Sequence, residues 1–205
     1  MTYLVPQLNQ GTPLDNSNCG PASVAEGLRW ATGHAVAPTP PQVRKAMHDN
    51  IGGTGLADHV TAWASFKDEA KAAGYILGPA DYHPSQDWSK LVAWLEKGNG
   101  ATIAIDYGRV PKPIKGDPVF DGNHAVFLSA IRTRGSVTEV RVWDPLCDGR
   151  RQGIPRGPIW YKAVTLKNAA GGDAGGGRAS WGGVKKAEAI APETDRKSTR
   201  LNSSH

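Results

Sequence analysis

The sequence predicts an α+β fold, with helices in the N-terminal half and an antiparallel sheet in the C-terminal half. Between residues 19 and 95, apolar residues recur with the spacing of helices. From residue 101 onward they instead form short runs, at 103–105, 125–131 and 137–143, that turn formers separate. Helices followed by strands, rather than alternating with them, are typical of the α+β class.

The first helix is predicted at 19–31, after a turn-rich loop at 11–18. Asn18 is a residue type that favours the N-cap position, and Pro21 is tolerated in a first turn. The helix is expected to end at Gly33, because glycine readily adopts the left-handed conformation that follows many helices. Its buried side is predicted to consist of Ala22, Ala25, Leu28 and Trp30.

Other elements are predicted on both sides of residue 100. An entry strand is expected at 3–10, and further helices at 42–48, at 56–73 and from 85 to about 98. The sheet is predicted to consist of strands at 101–105, 125–131, 137–143 and 159–166.

The remaining segments are predicted to be loops. Residues 109–121 are rich in Pro and Gly and are expected to overhang a cleft. Residues 169–183 are rich in glycine and are predicted to be a mobile linker. Residues 184–190 return as a strand or lead to a further segment.

Three residues in these elements carry the parts of a cysteine-nucleophile enzyme. Cys19 begins the first helix, where the positive end of the helix dipole favours a thiolate. His124 opens an apolar strand and can take a proton, and Asp144 lies at the end of the next strand and can fix the imidazole tautomer. The ordered set predicts an acyl-transfer site with Cys19 as nucleophile, His124 as general base and Asp144 as orienting carboxylate.

Simpler interpretations exist for each of these residues. A cysteine at a helix start is often a small buried residue, and an Asp-Pro pair often only begins a turn. Asp106, Asp121 and Asn123 compete with Asp144 for the orienting role. His124 differs from the other histidines because it heads a buried strand beside a glycine turn, a position that usually faces a cleft.

The motifs around these residues resemble those of papain-like cysteine peptidases, in the branch named for cleaving bacteriocin leaders after a double glycine. The shared pattern is a Gln upstream of Cys19-Gly20, a Gly-x-His-x-Val strand around His124, and Asp144-Pro145 further along. The resemblance covers residues 1–166. It implies a papain-like domain in which helices, with the nucleophile at a helix start, pack on an antiparallel sheet.

The resemblance also implies how the oxyanion is held. In this family a Gln side chain and the backbone N–H of the nucleophile donate to it. Gln10 is the preferred candidate because it ends the entry strand, and Gln7 is the alternative. The spacing differs from the family pattern, since Thr12 and Pro13 occupy the zone where the Gln is usual.

The predicted activity is hydrolysis of a peptide bond through an acyl-enzyme, without metal or cofactor. A stand-alone protein of this kind suggests, by analogy, a phage-encoded peptidase that acts on peptidoglycan peptides or on a structural protein. Two alternatives stay open: a non-catalytic binding module on the same scaffold, and an acyltransferase or amidase. Cys147 is predicted to be a bystander thiol. Most of the seven tryptophans fit core stripes, and groove lining by Trp160 and Trp181, placed in loops, is kept only as a minor alternative.

Composition restricts the partners. The 205 residues include two cysteines, too few for a disulfide framework, and no apolar run approaches the ~18 residues of a membrane span. The N-terminus lacks the pattern of a signal peptide, so synthesis in the cytoplasm is expected, with virion association or release by lysis as alternatives. Basic residues do not cluster with aromatics, so nucleic acid is not an expected partner.

The C-terminal segment 195–205 is expected to be foreign. It back-translates into a common short-read sequencing adapter, and such segments are excluded from fold reasoning. It contains three basic residues and one acidic residue, so the net charge of +5 falls to +3 without it. Residues 167–194 are assigned as the glycine-rich linker or the start of a further segment.

Overall fold

The computed structural model describes residues 6, 17–47, 55–147, 157–170 and 178–191. The predicted entry strand at 3–10 lies outside the described residues except for Pro6, and Gln7, Gln10 and the segment 195–205 lie outside them as well.

The described chain contains helices and strands in a mixed order. The helices are α1 Cys19–Thr32, α2 Pro40–Ala46, α3 Leu56–Ser65, α4 Lys67–Ala72, α5 Trp88–Glu96 and α6 Ala163–Ala170. The strands are β1 Tyr75–Ile76, β2 Ala80–Asp87, β3 Gly100–Asp106, β4 Asn123–Arg134, β5 Val137–Trp143, β6 Ile159–Lys162, β7 Arg178–Val184 and β8 Glu188–Ala189. None of these helices is long and apolar enough to cross a membrane.

Helix α1 confirms the prediction for 19–31. It ends at Gly33, which adopts the left-handed conformation with φ of 59°. Asn18 occupies the N-cap position, but its side chain does not cap the helix. The side-chain oxygen of Asn18 instead accepts a hydrogen bond from Arg44 Nε at 2.8 Å. The residues just before Cys19 are therefore tied to α2.

Two helix predictions are wrong in extent. The segment 56–73 forms two helices, α3 and α4, because Phe66 between them is not helical. The helix predicted from residue 85 begins only at Trp88, because the residues up to Asp87 belong to strand β2. Strand β2 was not predicted, because its partner β7 was assigned to a linker.

Six strands form one antiparallel sheet in the order β2-β7-β3-β4-β5-β6. Strand β7 lies inside this sheet, so the prediction of a linker through residue 183 is wrong. Its glycines serve close packing: a Cβ on Gly182 would come within 2.9 Å of Thr102 Oγ1. The sheet extends past residue 166, where the sequence placed the end of the domain. The predicted strand 159–166 is also shorter, because α6 begins at Ala163.

The sheet has a hydrophobic core on each face. One core contains residues of α1, α2 and α3 together with Phe127 and Trp143 of the sheet. The other contains residues of α5 and α6 together with Val126, Leu128 and Val142. Alternation of side chains along β4 supplies both cores, as expected for a strand that is covered on both faces.

Helix α1 packs directly on β4, and this contact brings Cys19 near His124. The Phe127 ring lies 5.5 Å from the Trp30 ring, centroid to centroid. A Cβ on Gly27 would come within 3.1 Å of the same Phe127 ring, so the helix approaches the strand at a glycine. Close packing of α1 on β4 therefore fixes where the start of α1 lies relative to the start of β4.

Candidate active site

Cys19 is the first residue of α1 and is partly exposed. Hydrogen bonds fix the backbone at the start of α1. Ala22 N–H donates to the Asn18 carbonyl at 2.8 Å, and the Arg44 guanidinium donates to Asn18 Oδ1 and to the Ser17 carbonyl. The sulfur lies at the N-terminal end of a 14-residue helix, where unpaired N–H groups favour negative charge.

His124 is the second residue of β4 and is 2% exposed. Its Nε2 lies 2.8 Å from Asp144 Oδ1, so the proton on that nitrogen is donated to the carboxylate. The other ring nitrogen, Nδ1, has no hydrogen-bond partner of good geometry among the described residues. The Cys19 thiol is the titratable group beside it, which leaves Nδ1 to exchange a proton with the sulfur.

Asp144 follows the last residue of β5 and is fully buried. Besides the bond from His124, its carboxylate accepts from the Tyr107 hydroxyl at 2.5 Å and from Leu146 N–H at 2.9 Å. A buried carboxylate with several donors is held in one orientation and keeps its charge.

The electrostatics of the three groups favour a charged pair. Burial opposes the charge on His124, but the adjacent Asp144 carboxylate and the Cys19 sulfur outweigh it and raise the pKa of His124. Burial likewise opposes charge on Asp144, and the bonds from His124, Tyr107 and Leu146 N–H nevertheless lower its pKa.

The pKa of Cys19 moves in the direction that a nucleophile requires. Burial acts to raise it, but His124, by hydrogen bonding and charge, and the backbone N–H groups of Ala125 and Gly20 lower the pKa below the ordinary thiol value. A thiolate and an imidazolium therefore exist together at a lower pH than free side chains would allow.

The competing candidates Asp106, Asp121 and Asn123 lie at the surface, unlike the buried Asp144. Asp106 accepts from Gly108 N–H at 3.0 Å and pairs with Arg109 at 2.9 Å on the surface. Asp121 and Asn123 are both exposed. Of the four predicted candidates, Asp144 is the one that the described structure places against His124. The structure therefore brings Cys19, His124 and Asp144 together, while their roles stay predictions.

Tyr107 contacts the site and was not predicted from the sequence. It is fully buried at the start of a one-turn 3₁₀ helix, Tyr107–Arg109, and its ring centroid lies 4.7 Å from that of His124. Lys115 and Phe120, from the predicted loop at 109–121, also contact the Tyr107 ring. A tyrosine just after a strand has no distinctive local pattern, and its contact with Asp144 joins positions 37 residues apart in the chain.

An open cleft of about 470 Å³ adjoins Cys19 and His124. The described residues that line it are Ser17, Cys19, Gly55, Leu56, His59, Tyr82, Ala104, Asn123, His124 and Ala125. His59 forms part of the wall, is 3% exposed, and has its Nδ1 3.1 Å from Thr102 Oγ1. Burial lowers the pKa of His59 to about 4, so this wall residue is neutral near pH 7.

The two tryptophans kept as a minor alternative for the groove lie in strands and are not among the described residues that line the cleft. Trp181 is in β7 and is 2% exposed, and Trp160 is in β6, where the Arg132 guanidinium lies 3.7 Å from its ring centroid. Trp160 falls within the strand predicted at 159–166, whereas the assignment of Trp181 to a loop failed because its neighbouring glycines concealed β7. Cys147 is fully buried, with Sγ 4.0 Å from the Ile114 carbonyl oxygen. Among the described residues, His, Cys, Asp and Glu do not form a group that could hold a metal ion.

Solved structures of peptidase domains share this fold. The peptidase domain of Streptococcus ComA, a bi-functional ABC transporter involved in a quorum-sensing pathway, has a TM-score of 0.51 and 14% identity; the match covers 90% of this chain and 98% of that chain. A putative C39-like peptidase from Bacillus anthracis has a TM-score of 0.54 and 13% identity, over 90% of this chain and 95% of that chain. No family model matches the sequence, and no curated protein matches it significantly.

The predicted fold class is thereby confirmed. The molecule combines helices and an antiparallel sheet in the papain-like arrangement of C39 peptidases, with the candidate nucleophile at a helix start. The identities are low, so the comparison concerns the fold, and the chemistry must be argued from the side chains described above.

Proposed function

We propose that the protein is a cysteine peptidase that hydrolyses a peptide bond through an acyl-enzyme. The observation that supports this most is the buried His124, whose Nε2 pairs with Asp144 and whose ring lies beside the Cys19 thiol at an open cleft. A buried histidine between a thiol and a carboxylate, with the thiol pKa lowered, is costly to maintain and is characteristic of functional sites.

The proposed reaction has two halves, acylation of Cys19 and hydrolysis of the thioester, and His124 transfers a proton in each. The Cys19 thiolate attacks the substrate carbonyl carbon, and the imidazolium of His124 gives its Nδ1 proton to the leaving amine. A thioester remains on Cys19. His124 then takes a proton from water, the resulting hydroxide attacks the thioester, and the carboxylic acid leaves while the sulfur regains its negative charge.

Asp144 acts on His124 and not on the substrate. Its carboxylate accepts a hydrogen bond from Nε2–H, which directs Nδ1 to Cys19, and its negative charge stabilises the imidazolium. The backbone N–H of Cys19 is one donor to the oxyanion. Gln10, or alternatively Gln7, is the second donor that the family resemblance implies.

The substrate class is proposed more coarsely. A peptide fits the activity, and Leu56, His59 and Tyr82 line the same cleft as Cys19. Peptidoglycan peptides as substrates, and a phage origin, stay predictions from the sequence. Hydrolysis is favoured over the acyltransferase and binding-module alternatives because the activated thiol lies in an open cleft, where water reaches a thioester.

A direct test uses a complex peptide mixture with mass-spectrometric detection of new termini. The wild-type protein is expected to generate new termini, and Cys19→Ala is expected to generate none. Cys147→Ala is the matched control, because it removes the protein's other thiol and should keep the activity. The proposal fails if wild type and Cys19→Ala produce the same peptides while both remain folded.

A further inference from the structure

Tyr107 joins three parts of the molecule at the back of the site. Its hydroxyl donates to Asp144 Oδ2 at 2.5 Å and accepts from Gly116 N–H at 2.7 Å. The hydroxyl therefore both donates and accepts a hydrogen bond inside the protein. The Asp144 oxygen that it contacts is the one that does not contact His124.

The segment that follows Tyr107 is packed too closely to shift independently. A Cβ on Gly116 would lie 2.2 Å from the Leu146 carbonyl carbon, so the chain at 116 runs against the backbone next to Asp144. Leu146 N–H also donates to Asp144 Oδ1. The Tyr107 hydroxyl thus closes a loop around the carboxylate, with Gly116 and Leu146 on either side.

The groups around the Tyr107 ring explain why its hydroxyl remains a donor. Asp144, Tyr161 and Cys147 lie near enough to oppose a negative charge on the phenol, and together with burial they raise the pKa of Tyr107. The Lys115 ammonium lies 5.1 Å from the ring centroid. Because its pKa is raised, the phenol keeps its proton near neutral pH and donates it in the hydrogen bond to Asp144.

We propose that Tyr107 is a positioning residue of the site. By occupying Asp144 Oδ2, its hydroxyl keeps the carboxylate from rotating and leaves Oδ1 on His124 Nε2. The inference rests on the proposed function, in which Asp144 orients His124. Without the hydroxyl, a buried carboxylate oxygen loses its donor, and the carboxylate is less firmly held as an anion against His124.

The test is the pH dependence of Cys19 alkylation by iodoacetamide, measured by mass spectrometry. In Tyr107→Phe the profile is expected to move toward that of an ordinary thiol, with a rate near neutral pH lowered on the order of tenfold, as expected for loss of a hydrogen bond to a charged group. Tyr161→Phe is the matched control. It removes a buried hydroxyl that donates to the Ile114 carbonyl and not to Asp144, and its profile should match the wild type.

Two results would overturn the role of Tyr107: a Tyr107→Phe profile that coincides with the wild type, or an equal shift in Tyr161→Phe. An ordinary-thiol profile in the wild type itself would instead remove the proposed function. If Tyr107→Phe does not fold, 3-fluorotyrosine at position 107 keeps the shape and changes the acidity of the phenol. The downfield proton resonance on His124 Nε2 must then shift with the label at 107 and stay in place with the label at 161; no shift at 107 refutes the proposal.

Discussion

His59 provides a prediction whose size follows from its burial. The side chain lies in the wall of the cleft, is 3% exposed, and has a pKa lowered to about 4. In the unfolded chain a histidine has a pKa of about 6.5. Between these two values the unfolded chain binds a proton that the folded protein does not bind, so acid favours unfolding.

The contribution of His59 is thus present above about pH 6.5 and is lost as the pH falls toward about 4. Between about pH 7 and about pH 4.5, a shift of this size corresponds to a loss of about 2 kcal/mol in the free energy of unfolding. Other groups titrate in the same range, so the quantity to measure is the difference between the wild type and a variant that lacks this histidine.

His59→Asn is the appropriate variant, because an amide can replace the ring nitrogen that contacts Thr102 Oγ1. Urea unfolding followed by tryptophan fluorescence gives the free energy of unfolding at the two pH values. The wild type should lose about 2 kcal/mol more than His59→Asn between about pH 7 and about pH 4.5. Equal losses in the two proteins would refute the reasoning, because they would mean that the pKa of His59 in the folded protein is the same as in the unfolded chain.

Two further substitutions test how the site is held. Gly116→Ala should lower the free energy of unfolding, measured in urea, by about 3 kcal/mol, because the added methyl would overlap the Leu146 backbone. In the control Gly55→Ala the added methyl has a normal contact distance, so the loss should be less than about 1 kcal/mol. Similar losses in both variants would show that the structure relaxes easily around position 116. Arg44→Lys keeps the charge but lacks the guanidinium that bonds both Asn18 Oδ1 and the Ser17 carbonyl, so it should cost about 1–3 kcal/mol in the free energy of unfolding and slow Cys19 alkylation. A variant as stable and as reactive as the wild type would contradict this.

The sequence was sufficient for the parts of the site whose signals are local. Cys19 was identifiable because a cap residue and a proline mark the start of α1, and His124 because it heads a long apolar strand. Asp144 followed from the hairpin geometry, since β4 and β5 pair directly and return the chain beside its starting point. His124 and Asp144 meet because the consecutive strands β4 and β5 pair, and Cys19 reaches them because α1 packs on β4.

The parts that depend on distant contacts were not predictable in the same way. Strand β7 contains Gly182 and Gly183, which resemble a linker in sequence but allow α3 and the Trp94 ring to pack closely on the sheet. Because β7 was not predicted, its partner β2 was missed, and the N-terminal end of α5 was placed too early. The bond between Tyr107 and Asp144 joins positions 37 residues apart through a loop without regular structure, and local patterns give no sign of it.

The most direct test of the central claim is the alkylation rate of Cys19 as a function of pH, in the wild type and in His124→Ala, with Cys147 as the internal control. The account predicts that wild-type Cys19 reacts rapidly well below the pH at which an ordinary thiol titrates, near ~8.5, and that His124→Ala abolishes this reactivity at low pH. Buried Cys147 should react slowly in both proteins. A wild-type Cys19 that titrates as an ordinary thiol and does not respond to loss of His124 would contradict the account.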